Sequence, residues 1–258
     1  MSERSFSQDE PIVVAHRGAP LVEPENTIPS FEAAVAAGAD AVEFDVRLSA
    51  DGVPVILHDA AVDRTTDGRG LARDLTVADL ARIAIPRGEG ATTNVPTLEA
   101  ALVALSGRIG VDIELKQLPG EPDFEPEGDR LVLATLRVLE ASGFGGPVLL
   151  SSFNPLALDA VRRLGPDVPT GLLTLAAVEL DVALDFARAQ GYDWLLPPVA
   201  QVVVAEGFAA RAHEAGLRVA AWNTEDPAEA RALWRSGVDA VATNDPAAIV
   251  AARTEAAR

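Results

Sequence analysis

Short runs of valine, isoleucine and leucine alternate along this chain with alanine-rich stretches of helical period. The apolar runs are IVVA (12–15), AVEFDV (41–46), VPVIL (53–57), VDIEL (111–115), VLLSS (148–152), TGLL (170–173), DWLL (193–196), LRVAAW (217–222) and AVAT (240–243). Between most of them lie IPSFEAAVAAG, TLEAALVAL, DRLVLATLRVLEASG, PLALDAVRRLG, VELDVALDFARAQG, AEGFAARAHEAG and PAEARALWRSG. Several of these end in glycine, the usual residue just past a helix. Alternating strand and helix predicts a parallel sheet with right-handed crossovers. About eight such units fit a (β/α)8 TIM barrel, an α/β fold. A doubly wound open sheet is the structural alternative.

No low-complexity linker divides the chain, so residues 1–258 read as one barrel domain. Residues 60–96 break the rhythm. They are rich in Gly, Asp and Arg, and they predict a long loop with one short helix, inserted after the third strand.

Composition narrows the partners. The net charge of -18 argues against nucleic acid, which needs a basic face. It also gives little attraction to anionic membranes. There is no cysteine, hence no disulfide framework and no thiolate chemistry. The first ten residues, MSERSFSQDE, have no apolar core of a signal peptide. No apolar run nears the ~20 residues that span a bilayer. These features predict a cytoplasmic chain without stable membrane insertion, monomeric or homodimeric.

Candidate chemistry gathers at strand ends, where a barrel builds its active site. His16 and Arg17 follow the first run, Glu43 and Asp45 lie near the end of the second, and His58 and Asp59 follow the third. Glu114 and Lys116 end the fourth. Glu43 and Asp45 are two apart on a strand, so both point to one face. Val42, Phe44 and Val46 then face the covering helices. Paired carboxylates in a barrel interior repel unless a cation sits between them. With Glu114 they offer three hard oxygen donors, which suit Mg²⁺ or Ca²⁺ rather than Zn²⁺. A buried ion-pair network, with Glu43 and Asp45 held by Arg17 and Lys116, is the alternative.

His16 and His58 make an acid–base pair, since imidazole titrates near neutral pH. The third histidine, His213, sits mid-helix and reads as a surface residue. Of the 21 basic residues, Lys116 is the only lysine. Either that is chance, or a compact ammonium is needed where a wide guanidinium would not fit. Arg17 and Lys116 suit a phosphate. Together these groups describe phosphodiester cleavage by positioning and charge stabilisation.

The segments AHRG, PENT, GADAVEFDVRLSADGVPVILHDAAVDRTTDGRG, VPTLEAAL and IELK resemble the glycerophosphodiester phosphodiesterases in order and spacing. The resemblance continues in SSFNPLAL, AGLRVAAWNTED and VDAVATNDP, and covers roughly residues 12 to 246. It implies a (β/α)8 barrel. It also implies catalysis by His16 and His58, metal ligation by Glu43, Asp45 and Glu114, and phosphate binding by Arg17 and Lys116. Trp222, with Phe153, would line the glycerol pocket. Glu25 and Asn26 read as shaping their loop, with Thr27 capping the next helix.

The family's usual Trp-Thr-Val-Asn is here Trp222-Asn223-Thr224-Glu225, and a later motif reads Thr243-Asn244-Asp245-Pro246. Both are expected away from the metal and the histidines, on the substrate's alcohol side. The mechanism the resemblance implies is attack by the substrate's glycerol 2-hydroxyl on phosphorus, loss of the head-group alcohol, and hydrolysis of the cyclic phosphate to sn-glycerol 3-phosphate. His16 is assigned as first base and His58 as first acid, with the reverse order open. Two other readings stand beside it. One is a phospholipase D-like enzyme for lysophospholipids or sphingolipids; the other is a non-catalytic phosphodiester-binding barrel.

Overall fold

The structure, a computed structural model, describes residue 6 and residues 10–126 and 129–256. In chain order the strands are β1 (Ile12–His16), β2 (Ala41–Leu48), β3 (Pro54–Ile56), β4 (Ile85–Gly88), β5 (Ala91–Thr93), β6 (Gly110–Leu115), β7 (Val148–Ser152), β8 (Thr170–Leu173), β9 (Trp194–Leu196), β10 (Arg218–Ala221) and β11 (Ala240–Thr243). The helices are α1 (Ile28–Ala37), α2 (Val77–Leu80), α3 (Leu98–Leu105), α4 (Asp129–Ser142), α5 (Pro155–Leu164), α6 (Leu180–Gln190), α7 (Val199–Val202), α8 (Phe208–Glu214), α9 (Pro227–Arg235) and α10 (Pro246–Ala256).

Eight parallel strands close a ring in the order β1, β2, β6, β7, β8, β9, β10, β11 and back to β1. This is the (β/α)8 barrel that the alternation predicts. The nine apolar runs are one too many for it. The surplus is VPVIL: β3 pairs antiparallel with β2, Val46 opposite Ile56 and Leu48 opposite Pro54. The chain between them is only residues 49–53, too short for a parallel crossover, which takes a dozen residues or more. Asp51-Gly52 reverses it, with Gly52 at φ 75°. The third run is therefore a hairpin arm and not a stave. The insertion after it is also richer than one short helix. It carries α2, the hairpin β4–β5 and its own small core of Val55, Leu57, Val62, Leu80 and Ile85.

Alternation along each stave sorts two cores. Outward residues Val42, Phe44, Val46, Val111 and Ile113 pack under the helices with Phe31, Leu98 and Leu102. The ring of Phe44 lies 5.3 Å from that of Phe31. Inward residues Val14, Leu149, Leu173, Trp194, Leu196 and Ala220 fill the barrel interior, where Phe6 packs edge-on against Trp194. Helix starts follow local chemistry. Thr27 accepts from Ser30 N–H at the head of α1, as expected, and Asn154 and Asp226 cap helices that open with proline. Among the described residues, no helix is long and apolar enough to cross a membrane.

One turn fixes the mouth of β1. Gly18 has φ 90°, and a Cβ there would lie 2.4 Å from Ser30 Oγ and 2.7 Å from Ser30 carbonyl carbon. Gly18→Ala should therefore lower the unfolding free energy by about 2 kcal/mol or more, from left-handed strain plus overpacking. Gly52 meets nothing within 4 Å, so Gly52→Ala should cost only the strain, about 1 kcal/mol. Urea unfolding of both variants checks this; equal losses would show that the Ser30 contact does not matter.

Candidate active site

Register brings the strand-end groups together. His16 on β1 stands opposite Glu43 on β2, Glu43 opposite Asp112 on β6, and Asp45 opposite Glu114. Residues two apart share a face, so one patch of wall carries all five. Glu43, Asp45 and Glu114 are buried, and each offers an oxygen within 4.8 Å of the others.

Two cations face them. Lys116 Nζ donates to Glu114 Oε1 at 2.8 Å and stands 3.4 Å from Asp45 Oδ1. Arg17 Nε lies 3.3 Å from Asp45 Oδ2, while the Arg17 backbone N–H donates to Glu43 Oε2 at 2.9 Å. Asn26 Nδ2 donates to Asp45 Oδ2 at 2.7 Å. Arg17 and Asn26 both sit in the left-handed region, at φ 56° and 60°, which is uncommon for residues with a side chain. The Arg17 carbonyl accepts from Asn26 N–H and from Ser30 Oγ, so the site's own hydrogen bonds hold this strained turn.

The charges do not balance. Burial pushes Glu43 well above the usual carboxylate range, and repulsion from Asp45, Glu114 and Asp112 adds to it. Burial likewise pushes Glu114 up to about 7 in spite of Lys116, and Asp112 up to about 7 in spite of its bond from Ser151. Burial acts to raise Asp45 too, but Lys116 and Arg17 overcome it and hold this group far below the usual range. Glu43 Oε1 and Asp45 Oδ1 are buried without a hydrogen-bond partner. A converging set of hard oxygens, two of them unsatisfied, fits a divalent cation.

The histidines differ in their partners. His16 Nδ1 lies 2.8 Å from Asn244 Oδ1. The amide orientation is set by Asn244 Nδ2, which donates to Glu225 Oε1 at 2.6 Å. The oxygen therefore faces the ring, so Nδ1 carries the proton and Nε2 is left as an acceptor on the cavity side, 4.0 Å from Glu43 Oε2. His58 Nδ1 meets Asp59 Oδ1 at 2.6 Å. Asp59 accepts from Arg64, Arg64 also donates to Glu25, and Glu25 accepts from Arg17, which links the two site loops. The fully buried Arg47 donates through Nε and Nη2 to the His58 carbonyl and pairs with Glu121 and Asp123. Burial lowers the pKa of both site histidines, with Arg17 adding to this at His16.

These groups open on a cavity of about 200 Å³. It is lined by eight of the nine candidate residues, with Asp45 fully buried behind them. Its far wall is apolar: Phe153, Leu173, Leu196 and Trp222. The Phe153 and Trp222 rings meet edge-on at 5.7 Å, and Trp222 Nε1 donates to the Leu196 carbonyl. His213 is away from the site, half exposed and bonded to Asp239. One expectation fails. The Thr243-Asn244 motif is not remote from the histidines, because β11 neighbours β1 in the closed ring and delivers Asn244 to His16. Sequence reasoning also passed over Asp112, Arg47, Arg64 and Glu225. For Asp112 the signal was present, since it shares a face with Glu114.

The model of the glycerophosphoryl diester phosphodiesterase family matches residues 16–248. A glycerophosphodiester phosphodiesterase of Caldanaerobacter subterraneus is 30% identical over 246 residues, covering 93% of this chain and 96% of that one. One from Bacillus subtilis is 31% identical over 264 residues, covering 93% and 86%. Among solved structures, a phosphodiesterase of Oleispira antarctica in complex with the product sn-glycerol 3-phosphate superposes with a TM-score of 0.82 at 30% identity, covering 94% and 96%.

The repulsion around Glu43 is testable by stability. A carboxyl whose folded-state pKa is raised keeps its proton in the fold while the unfolded chain has lost it. Stability then falls as pH rises through the window above the ordinary value of 4.5. Glutamine keeps an acceptor for the Arg17 N–H without the charge. In excess chelator at pH 7, Glu43→Gln should melt at a higher temperature than the wild type, and the gap should widen as pH rises through that window. A lower melting temperature for the variant would mean that the cluster is balanced as it stands.

Proposed function

The chain belongs to the glycerophosphoryl diester phosphodiesterase family, and we propose that it hydrolyses glycerophosphodiesters to sn-glycerol 3-phosphate and an alcohol by a two-histidine mechanism. The observation that carries this reading is the pairing of His16 and His58, Nδ1 tied back on each, around one cavity beside a buried carboxylate cluster and two cations.

Glu43, Asp45 and Glu114 would hold a divalent cation, Mg²⁺ or Ca²⁺ by their donor chemistry. When bound, it supplies Lewis-acid stabilisation of the phosphate's charge. Arg17 and Lys116 face the phosphate oxygens from two sides. Phe153 and Trp222 pack the glycerol carbons, which orients the 2-hydroxyl towards the histidines. The 2-hydroxyl gives its proton to His16 Nε2 and attacks phosphorus. The bond from phosphorus to the head-group oxygen breaks, and His58 Nε2 protonates that oxygen. Water then opens the cyclic phosphate with the two roles exchanged. The partners support this assignment. A carboxylate, Asp59, on Nδ1 of His58 favours its protonated ring, whereas His16 has a neutral amide there and a guanidinium beside it.

The assay is release of sn-glycerol 3-phosphate from glycerophosphocholine. Chelation should abolish it, and Mg²⁺ or Ca²⁺ should restore it in the wild type but not in Glu43→Gln. His16→Ala and His58→Ala should each lower kcat by ~10²-fold or more, and the double variant by far less than the product of the two. Full activity in excess chelator would sink the metal assignment. Multiplicative losses would place the histidines in separate steps.

The lone lysine has a tighter test. Lys116 is only 3% exposed and pressed against Glu114 and Asp45, and a wider, planar guanidinium would have to displace one of these carboxylates. Lys116→Arg keeps the charge, yet kcat/KM at saturating metal should fall at least ~10-fold, about 1.4 kcal/mol of transition-state stabilisation. Wild-type kcat/KM would make the lysine an accident of this sequence.

A further inference from the structure

Asp112 is a buried carboxyl that none of the assigned roles uses. It points into the barrel from β6, is 5% exposed, and lies outside the cluster of close oxygens formed by Glu43, Asp45 and Glu114. Ser151 Oγ on the neighbouring stave donates to its Oδ1 at 2.6 Å. The group lines the cavity together with Ser151. Around and below it the barrel interior is apolar, with Val14, Leu149, Trp194 and Ala220. A carboxyl this deep in an apolar surround, open to the cavity and with one oxygen held by Ser151, favours a ligand group that can donate a hydrogen bond to it.

From this geometry we infer that Asp112 and Ser151 form a hydroxyl-binding floor to the cavity, which takes the terminal hydroxyl of the substrate's glyceryl group. The inference rests on the glycerophosphodiester reading above. Depth fits. Asp112 lies two residues below Glu114 on one strand, a drop of about 6–7 Å. A three-carbon chain whose phosphate sits beside Glu114 and Lys116 reaches a comparable distance with its far hydroxyl. Ala220 and Ala242 on the opposite staves are small and keep that depth open. The carbons lie along Phe153 and Trp222, so the polar end must find a partner at the bottom. A hydroxyl suits the floor better than an ammonium. A cation would shed its whole hydration shell against one carboxylate, whereas a hydroxyl gives up one or two bonds and regains them. The floor is then a specificity device. A ligand that lacks the hydroxyl leaves the acceptor unpaired and is rejected for that reason.

Calorimetry in the presence of Mg²⁺ reads this without turnover. The ligands are sn-glycerol 3-phosphate and its analogue without the terminal hydroxyl, a 2-hydroxypropyl phosphate of the same configuration. The wild type should bind the glycerol phosphate about tenfold more tightly or better, the scale of one good hydrogen bond. Asp112→Leu should collapse that ratio towards one, by weakening the glycerol phosphate and sparing the analogue. Asp112→Ala serves if the leucine variant does not fold. No preference in the wild type, or a preference that survives in the variant, overturns the floor. Failure to release sn-glycerol 3-phosphate from glycerophosphocholine would count against the hydrolysis reading alone, and the binding ratio would still decide the subsite.

Discussion

An excess of negative charge in the barrel interior is the constraint on which the rest of this structure depends. Glu43, Asp45, Asp112 and Glu114 are buried there against two cations, Arg17 and Lys116. A pair of like charges about 4 Å apart repels by roughly 4 kcal/mol at the effective dielectric of a protein surface. Something must hold the carboxyls in place against that. On β2 the holding force is on the same strand, facing the other way. Val42, Phe44 and Val46 are fully buried under the helices, and each large side chain contributes about 1.5–3 kcal/mol of burial. One strand thus carries the destabilising groups on its inner face and their anchor on its outer face.

The loops carry the same tension in the backbone. Arg17 and Asn26 adopt left-handed conformations, and each is bonded to a carboxylate of the cluster. The hairpin arm β3, which is not one of the eight parallel staves, brings His58 to the site. Its position rests on Arg47, whose guanidinium grips the His58 carbonyl from below, and on the Asp59–Arg64–Glu25 link above. The two cavity histidines are therefore placed half by the rigid barrel and half by an added arm. These side-chain contacts add to the backbone pairing of β3 with β2, which Leu57 N–H extends to the Asp45 carbonyl.

The barrel and most of its site were legible because both follow from local periodicity. Alternation gave the inward face of Glu43 and Asp45 directly, and strand ends gave His16, Glu114 and Lys116. What failed was non-local or required counting. VPVIL has the composition of a stave, and only the short connection through Asp51-Gly52 marks it as a hairpin arm. Asn244 is 228 residues from His16 in sequence, and ring closure alone makes them neighbours. Arg47 looks like any surface arginine at a strand end until the 121–123 loop folds over it. Asp112 is different. The two-residue rule that found the Glu43–Asp45 pair applies equally to Asp112 and Glu114, and the information was there.

The division of the cavity into a charged wall and an apolar wall follows from the order of the staves. β1, β2 and β6 are adjacent in the ring, and together they carry most of the ionisable groups of the site. β7 to β10 complete the wall with Phe153, Leu173, Leu196 and Trp222. A ligand with a phosphate at one end and carbons at the other can enter such a cavity in only one rotational sense. Its phosphate faces the first wall through Arg17, Lys116 and the cation that the carboxylates would hold, and its carbons face the second. On the proposed mechanism, the orientation that brings a 2-hydroxyl beside the histidines would be imposed by strand order before any single contact is made. The individual residues then need only set distances, which is the task that rigid staves perform better than loops.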